Sequence, residues 1–447
     1  MTSTKRVVVI GGGMAAARLA GQLSAAGSAV ELTVVGEEPH APYNRVLLAE
    51  VLAGRYGPEV VALPVPSAVR WLRGVRAVRL DRAERLVRCD DGSSVPYDTL
   101  VLATGSNPVL PPLRGLFPEA GGPPGPARGG RGLPRGVHPF RTLSDCRALA
   151  QEARPGARAV VVGGGLLGVS AARALAGRGV RTVLAHQGEH LMERQLDPRA
   201  SELLRDHLAA LGVEVHTECR VRGLRTRRAG GDGGDGRAAG VELADGYLLE
   251  AELVVLACGV RPRTGLARAA GLEVRRGIVV DDALRTSDPA VHAVGDCAEH
   301  GGVVYGLAGA AQDQADALAR VLLAEPGGPV DRPPRTAGGT ARGAPAPYTG
   351  TRALTRLTLS PLPPGRGRAL DLAAFGETVP GPGDDVVHLA DATRSVYRKV
   401  VVRGDRLVGG ILLGDLDGVG TLARTWEGDE PLPSAPLLHL IANDGGL

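Results

Sequence analysis

The sequence of 447 residues contains few aromatic residues and almost no lysine. Aromatic side chains make up only 3% of the chain, which leaves Val, Leu and Ala to form the core. Lys5 and Lys399 are the only lysines among 52 basic residues, and the arginines are scattered between acidic residues rather than gathered with aromatics in a stripe. Despite the net charge of +4, no nucleic-acid partner is therefore expected.

Long apolar runs and closely spaced cysteines are missing as well. No apolar run approaches the roughly 20 residues that a helix needs to cross a bilayer, and the first residues do not resemble a secretory leader. We therefore expect a cytoplasmic location and no membrane association. No two cysteines form a CxxC or CxxxxC pair, so a redox disulfide, a zinc knuckle or a four-cysteine iron–sulfur cluster is not expected. The histidines show no metal-ligand spacing either.

Two glycine-rich strings are the most informative feature that the sequence does contain. Each follows a short apolar run, with GGGMAA at residues 11–16 and GGGLLG at residues 163–168. In such a strand–turn–helix unit the first glycine makes the turn and the second lets the backbone approach a pyrophosphate. The third small residue lets the helix pack closely on the strand. These positions are Gly11, Gly13 and Ala16 in the first string and Gly163, Gly165 and Gly168 in the second.

Two such strings in one chain imply two dinucleotide sites. The helix N-terminus behind each turn offers free N–H groups and a partial positive charge to the phosphates. A protein that binds two dinucleotides most economically passes electrons between them. We therefore expect one flavin and one nicotinamide cofactor.

The pattern of apolar runs predicts the fold class. Runs at residues 98–106 and 252–259 end in Ala-Thr-Gly and Ala-Cys-Gly, so the chain repeats one plan: a glycine string followed by such a strand. We predict an α/β fold with two doubly wound, Rossmann-like domains and a small strand-rich C-terminal α+β domain. In the C-terminal domain, the predicted strands lie at 354–359, 386–389, 395–402 and 407–413.

Composition also predicts domain boundaries. Residues 1–120 and 252–325 form the predicted flavin-binding domain, and residues 137–251 form the nicotinamide-binding domain. A flexible linker at 326–347 precedes the C-terminal domain at 348–447. Three stretches rich in Gly, Pro, Arg and Asp, at 121–136, 229–236 and 325–347, are predicted to be loops without a fixed fold.

Residues after the second strand of each unit bear on ribose binding. Glu37 and Glu38 follow the first glycine string at close to the spacing of about 20 residues that is typical of a ribose carboxylate. Either one can fill this role. In the second unit the chain has Ala185 and His186 where an acid would favour NAD by binding the 2′-hydroxyl and repelling a 2′-phosphate. NADH and NADPH therefore both remain open as donors.

The order of these motifs is similar to that of the two-dinucleotide flavoprotein reductases, which include rubredoxin and ferredoxin reductases. More narrowly, the chain resembles the N-terminal flavin module of the NAD(P)H nitrite reductase large subunit. The resemblance covers roughly residues 6–325 and 348–425. Three strings carry it, namely GEEPHAPYNRVLL at 36–48, LMERQLD at 191–197 and RKVVVRGDRLVGGILLG at 398–414.

The resemblance implies roles for individual residues. For FAD, it implies that the first glycine string holds the pyrophosphate and that a helix at 306–319 points its N-terminus at the flavin ring. The other implied FAD ligands are Glu38 (with Glu37 as the alternative), Arg45, Thr104, Gly105 and Asp296, the last binding the ribityl chain. For NAD(P)H, the implied ligands are Gly163, Gly165 and Gly168, with His186 beside them. Ser170 stands where many related reductases carry a glutamate near the nicotinamide.

The resemblance implies an FAD-dependent NAD(P)H oxidoreductase that passes electrons to a protein acceptor. The implied acceptor is rubredoxin, ferredoxin or a nitrate or nitrite reductase subunit of an assimilation system. Hydride transfer to a flavin needs no side-chain acid or base, so no catalytic residue is named. With no cysteine after Cys297, siroheme and iron–sulfur parts are not expected in this sequence.

Other functions are weighed against this one. A thiol-dependent disulfide reductase, NADH oxidase or peroxidase would need a cysteine within residues 39–60, which contain none. A flavin-bound redox sensor or scaffold with slow turnover remains the alternative. The C-terminal domain either docks the acceptor or forms a homodimer.

Overall fold

The computed structural model describes residues 4–27, 30–117, 132–227, 236–324, 346–352, 354–360, 369–391 and 393–433. The loops and the linker that composition predicts at 121–136, 229–236 and 325–347 lie largely outside these residues. Across the described ranges, no helix is both long and apolar enough to cross a membrane.

The chain alternates helices and strands up to residue 324 and is mainly strands beyond it. The described helices are α1 (Met14–Ala25), α2 (Leu48–Leu52), α3 (Leu143–Glu152), α4 (Leu166–Gly177), α5 (Pro198–Ala210), α6 (Gly265–Ala269), α7 (Ala308–Ala324) and α8 (Val419–Gly428). Single 3₁₀ turns lie at Arg45–Leu47 and Gly295–Cys297.

The described strands are β1 (Lys5–Ile10), β2 (Val30–Gly36), β3 (Arg70–Arg73), β4 (Ala77–Asp81), β5 (Leu86–Cys89), β6 (Ser94–Pro96), β7 (Thr99–Leu102), β8 (Ser106–Pro108), β9 (Val137–Pro139), β10 (Arg158–Val162), β11 (Arg181–Ala185), β12 (Val213–His216), β13 (Val221–Arg227), β14 (Arg237–Leu243), β15 (Leu248–Glu250), β16 (Leu253–Leu256), β17 (Val260–Pro262), β18 (Ile278–Val280), β19 (Val291–Ala293), β20 (Ala298–His300), β21 (Thr355–Leu359), β22 (Leu370–Gly376), β23 (Asp385–Asp391), β24 (Val396–Arg403) and β25 (Arg406–Leu413).

The first glycine string follows the central strand of a five-stranded sheet with the order β19-β7-β1-β2-β3. All its neighbouring strands pair in parallel, with β2 on one side of β1 and β7 on the other. The last four residues of β1 are buried and apolar, as expected for a parallel strand covered on both faces. Because the chain order reverses at β1, the carboxyl end of this strand is where such sheets bind ligands.

The second glycine string has the same surroundings. Its sheet has the order β12-β11-β10-β16-β9 and is also parallel throughout. The strand β10 lies between β11 and β16, just as β1 lies between β2 and β7. The predicted repetition of one strand–turn–helix plan, and with it the α/β fold class, is thus confirmed.

The C-terminal region is an antiparallel sheet with the order β21-β22-β25-β24-β23. The helix α8 packs on it, with Leu422 and Trp426 against Phe375 and Leu407. The four predicted strands correspond to β21, β23, β24 and β25. The strand β22 was not predicted, because Asp371 interrupts its apolar pattern and its two alanines have a low strand propensity.

The polypeptide folds into two compact units, each assembled from separate stretches of the chain. One comprises Met1–Val46, Pro58–Asn107 and Arg261–Thr351, and the other comprises Leu47–Gly57, Pro108–Val260 and Arg352–Leu447. The second unit therefore groups the C-terminal sheet with the second dinucleotide fold. Within that unit, Arg173 in α4 donates hydrogen bonds to Glu50 and to the carbonyl oxygen of Ser360. The predicted domain boundaries themselves stay a prediction.

Candidate dinucleotide sites

The first glycine turn has the close approach that its sequence predicts. Gly11 has a φ of +115°, and a Cβ there would lie 2.1 Å from the carbonyl oxygen of Ala103, so only glycine fits. Gly13 has an ordinary extended backbone, and a Cβ there would meet nothing within 4 Å. Ala16 is fully buried in the core around β1. The space beside Gly13 is thus open to an approaching phosphate.

The second glycine turn repeats this geometry. Gly163 has a φ of +113°, and a Cβ there would lie 2.4 Å from the carbonyl oxygen of Ala257. Gly165 is extended, and a Cβ there would again meet nothing within 4 Å. A Cβ on Gly168 would lie 1.8 Å from the carbonyl oxygen of Gly163, so this position accepts no larger residue. The tight turn and the open space again lie side by side.

The helices behind both turns begin without a side-chain cap. No side chain accepts a hydrogen bond at the start of α1 or α4 in the described structure, and neither has an acidic residue in its first turn. The helices α3 and α5 do have side-chain caps, a capping box of Thr142 and Asp145 and the carboxylate of Asp197, whereas α2, α6 and α8 also begin without one. The first N–H groups of a helix have no intrahelical acceptor. The uncapped ends of α1 and α4 therefore fit a pyrophosphate, which would supply both acceptors and negative charge.

Of the two candidate ribose carboxylates, Glu38 lies next to another predicted ligand. It forms an ion pair with Arg45 and accepts a hydrogen bond of 2.6 Å from the hydroxyl of Tyr43. Arg45 also donates to the Tyr43 hydroxyl at 3.0 Å. Burial alone would lower the pKa of Arg45, but Tyr43, Glu38 and Asp296 outweigh it and raise the pKa. The structure thus brings Glu38 and Arg45 together in a partly buried, charged group.

The other carboxylate, Glu37, faces a different partner. Arg263 binds it at 2.5 Å, and both side chains are more than a third exposed. The backbone oxygen of Arg263 accepts a hydrogen bond of 2.7 Å from the hydroxyl of Thr104. Glu37 is therefore linked to the turn after β7, which includes Gly105 with a φ of +67°.

The turn that carries Asp296 is fixed from two sides. Asp296 accepts a hydrogen bond of 2.8 Å from the Ser106 hydroxyl. The N–H of Gly295 donates to the side-chain oxygen of Gln314 at 2.7 Å, and Gln314 in α7 is almost fully buried. The helix predicted at 306–319 begins at Ala308 and continues to residue 324. Gln314 thus ties that helix to the Asp296 turn.

His186, which stands where an acid would favour NAD, contacts the second glycine string. Its Nδ1 accepts a hydrogen bond of 3.1 Å from the N–H of Gly164, so the proton of the neutral ring is on Nε2. Among the described residues, that buried Nε2 has no hydrogen-bond partner. Ser170 is buried in α4 and donates to the Leu166 carbonyl oxygen at 2.7 Å. Neither side chain supplies a carboxylate beside the predicted nicotinamide site.

Several residues of these clusters were not among the predicted site residues, namely Tyr43, Ser106, Arg263 and Gln314. Tyr43 lies within the string at 36–48 and could have been found, because it is two residues from Arg45. Gln314 carried a signal too, since it falls on the apolar face of α7 among buried alanines and leucines. Ser106 and Arg263 act across distances of 190 and 226 residues, which no local pattern indicates.

Two parallel sheets, each with a glycine turn and an uncapped helix behind it, define the class of reductases that bind two dinucleotides. The chain belongs to the pyridine nucleotide-disulphide oxidoreductase family, whose model matches residues 5–315. Residues 368–425 match the rubredoxin NAD⁺ reductase C-terminal domain. Membership implies binding of FAD and NAD(P)H, and the open space at both turns agrees with it.

Several curated relatives are named for nitrite or nitrate reduction. The chain is 31% identical over 417 residues to a nitrite reductase [NAD(P)H] of Bacillus subtilis, which covers 92% of this chain and 46% of the relative. It is equally identical to the assimilatory nitrate reductase electron transfer subunit of the same organism, with 92% and 48% covered. The chain thus spans about half the length of the curated relatives it matches.

Solved structures support the fold. A covalent putidaredoxin reductase–putidaredoxin complex superimposes with a TM-score of 0.77 at 23% identity, covering 96% of this chain and 94% of the other. At this identity the likeness concerns the fold alone.

The cysteines are not placed for disulfide chemistry, although the family name mentions it. All five are free thiols. Burial raises the pKa of Cys146 and Cys258 to about 11. Cys297, beside Asp296, is fully buried, and burial raises its pKa as well. Since the thiolate is the reactive form, burial disfavours reaction at these three thiols.

Proposed function

We propose that this chain is an FAD-dependent NAD(P)H oxidoreductase that delivers electrons to a redox protein of a nitrate or nitrite assimilation system. The repetition of one turn, open at Gly13 and at Gly165, carries the proposal. Two such turns in a single chain fit two pyrophosphates. The similarity to two Bacillus subtilis proteins across 92% of the chain supports the choice of pathway.

The residues of the first turn would hold FAD. Gly11 and Gly13 would let the backbone and the start of α1 approach its pyrophosphate, and Glu38 would bind its ribose. Asp296, oriented by Ser106, would bind the ribityl chain. At the flavin ring, α7 would direct its positive N-terminal end toward the reduced form.

The residues of the second turn would hold NAD(P)H. Gly163, Gly165 and the start of α4 would bind its pyrophosphate, and Gly168 would keep α4 close to β10. When bound, the two cofactors would supply hydride transfer and the release of electrons to an acceptor. The residues of the two turns would bind and orient the nucleotides, and no side-chain proton donor is required for hydride transfer.

The acceptor is proposed to be a nitrate or nitrite reductase subunit, with rubredoxin and ferredoxin as the other candidates. One relative is named as an electron transfer subunit of a nitrate reductase, which supports placing this acceptor ahead of rubredoxin and ferredoxin. The C-terminal sheet would either dock this acceptor or form a homodimer.

An anaerobic titration of the purified protein with NADH and NADPH tests the proposal. Flavin absorbance should bleach with at least one nucleotide, and the reduced protein should then pass electrons to one of the three acceptors. A yellow protein that neither nucleotide bleaches contradicts the proposal. A colourless protein that cannot be loaded with FAD contradicts both cofactor sites.

A flavin-bound redox sensor with slow turnover is the second candidate. One observation favours it. Ser170 stands where many related reductases carry a glutamate, and its hydroxyl donates to a carbonyl oxygen of its own helix. Steady-state turnover with a one-electron dye separates the two functions, because a sensor would show almost none.

A further inference from the structure

The string LMERQLD at 191–197 begins in contact with the second glycine turn. The side chain of Leu191 lies directly against Gly164, since a Cβ on that glycine would lie 2.6 Å from Leu191 Cδ2. The N–H of Met192 donates to the Gly164 carbonyl oxygen at 2.9 Å. Met192 itself has a φ of +53°, which a non-glycine residue rarely adopts without support from its surroundings. The start of this string therefore holds the backbone of the glycine turn.

The same string ends in contact with the C-terminal sheet. One carboxylate oxygen of Asp197 caps α5 by accepting the N–H of Ala200 at 3.0 Å. Its other oxygen accepts hydrogen bonds from the Tyr397 hydroxyl at 2.7 Å and from Lys399 Nζ at 2.8 Å. The side chains of Asp197 and Lys399 are each only 11% exposed. A buried ion pair thus fixes the end of the string.

The strand β24 presents its two donors on one face. Tyr397 and Lys399 are two residues apart, so their side chains leave the strand on the same side. Between them, Arg398 binds Asp415 at 2.7 Å. Lys399 is one of only two lysines in the chain. Its compact ammonium group makes a strong contact with Asp197, and the planar guanidinium of an arginine would not have the same shape.

We propose that Lys399 and Tyr397 are positioning residues for the nicotinamide-nucleotide site. They act through Asp197, which fixes the string 191–197 and thereby the backbone of Gly164. This gives the C-terminal sheet a role in binding the electron donor. The inference rests on the proposed nucleotide site at the second glycine turn.

The test compares Lys399→Met and Tyr397→Phe with a control in the same strand, Arg403→Gln. Arg403 binds Asp384 and Glu377, which both belong to the C-terminal region, so its loss removes ion pairs without touching the string. The FAD-loaded proteins are compared by calorimetric binding of oxidised NAD⁺ and NADP⁺. Stopped-flow reduction of the flavin then gives two separate quantities, namely the nucleotide concentration at half-maximal rate and the maximal rate itself.

We expect Lys399→Met to weaken nucleotide binding about tenfold, because small displacements of a binding turn are costly. The maximal rate of flavin reduction and the FAD content should stay at the wild-type level. Tyr397→Phe should give a smaller change in the same direction, and Arg403→Gln should give none. Lys399→Arg, which keeps the charge, should recover part of the affinity.

Wild-type affinity in both Lys399→Met and Tyr397→Phe would overturn the inference. An equal loss of affinity in Arg403→Gln would do the same, because the effect would then be general loosening of the sheet. If Lys399→Met does not fold, the mild variant Tyr397→Phe decides. Failure of the wild-type protein itself to bind either nucleotide would instead contradict the proposed function.

Discussion

Replacing Gly165 by alanine should remove one cofactor and leave the other in place. The residue has an extended backbone that alanine adopts freely, and its new methyl group would meet no protein atom within 4 Å. The lower entropy of the unfolded chain favours the variant by about 0.4–1 kcal/mol, but Gly165 is the N-cap of α4, where alanine is less favourable than glycine. The two effects oppose each other, so folding should be little affected. The methyl group would, however, occupy the space through which the pyrophosphate must approach the start of α4.

We expect Gly165→Ala to bind NAD(P)H at least about 100-fold more weakly, which corresponds to about 2.7 kcal/mol. The protein should still be purified yellow, with its normal FAD content. The assay is anaerobic reduction of the flavin by increasing nucleotide, combined with thermal unfolding of the same sample. A chemical reductant should bleach the flavin of the variant as it does that of the wild type.

The matched control is Gly13→Ala at the equivalent position of the first turn, which is also extended and open. This variant should lose FAD and remain folded. Gly168→Ala forms a contrast, since its methyl group would lie 1.8 Å from a carbonyl oxygen and should destabilise the fold itself. Normal reduction of Gly165→Ala by NAD(P)H at wild-type concentrations would refute the assignment of the second site.

Three further predictions follow from side chains of the two units. His186→Glu should raise the ratio of kcat/KM for NADH to that for NADPH at least about tenfold, since a carboxylate there binds the 2′-hydroxyl and repels a 2′-phosphate. An unchanged ratio would show that His186 does not contact the nucleotide. Gln314→Met should leave the N–H of Gly295 unpaired, destabilise the protein by about 1–3 kcal/mol and speed FAD release, measured by flavin fluorescence; release at the wild-type rate would contradict its role. Burial lowers the pKa of His207 below 6.5, so its stabilising contribution is complete above pH 6.5 and is lost as the pH falls through the lower pKa of the folded state. Urea unfolding of His207→Gln should accordingly show a weaker loss of stability between pH 7 and pH 5 than the wild type, and identical pH profiles would be evidence against this.

The glycine turns and the central strands could be predicted from sequence because their signals are local. A run of four buried apolar residues, a positive φ at the first glycine and the start of a helix lie within ten residues of each other. The same holds for the C-terminal strands with clear apolar patterns, whereas β22 lacks such a pattern and was missed.

The side-chain contacts between distant parts of the sequence could not be predicted. Asp197 and Lys399 are 202 residues apart, yet they form one buried ion pair. Glu38 and Arg45 are only seven residues apart and were both predicted as ligands, whereas the contact of Glu37 with Arg263 spans 226 residues. The structure pairs Glu38 with Arg45, and its role as the ribose ligand stays a prediction.

The uncapped starts of α1 and α4 have a consequence for how much folded protein a cell contains. The N-caps of these two helices are Gly13 and Gly165, which are only about a few tenths of a kcal/mol less favourable than a capping side chain. A bound phosphate would add stabilisation at both helix starts. A ligand that binds only the folded chain stabilises it by about 2.7 kcal/mol at 100 times its dissociation constant. We therefore expect newly made chains to survive proteolysis longer when more free flavin is present, so that the cofactor would protect the chain as well as supply its chemistry.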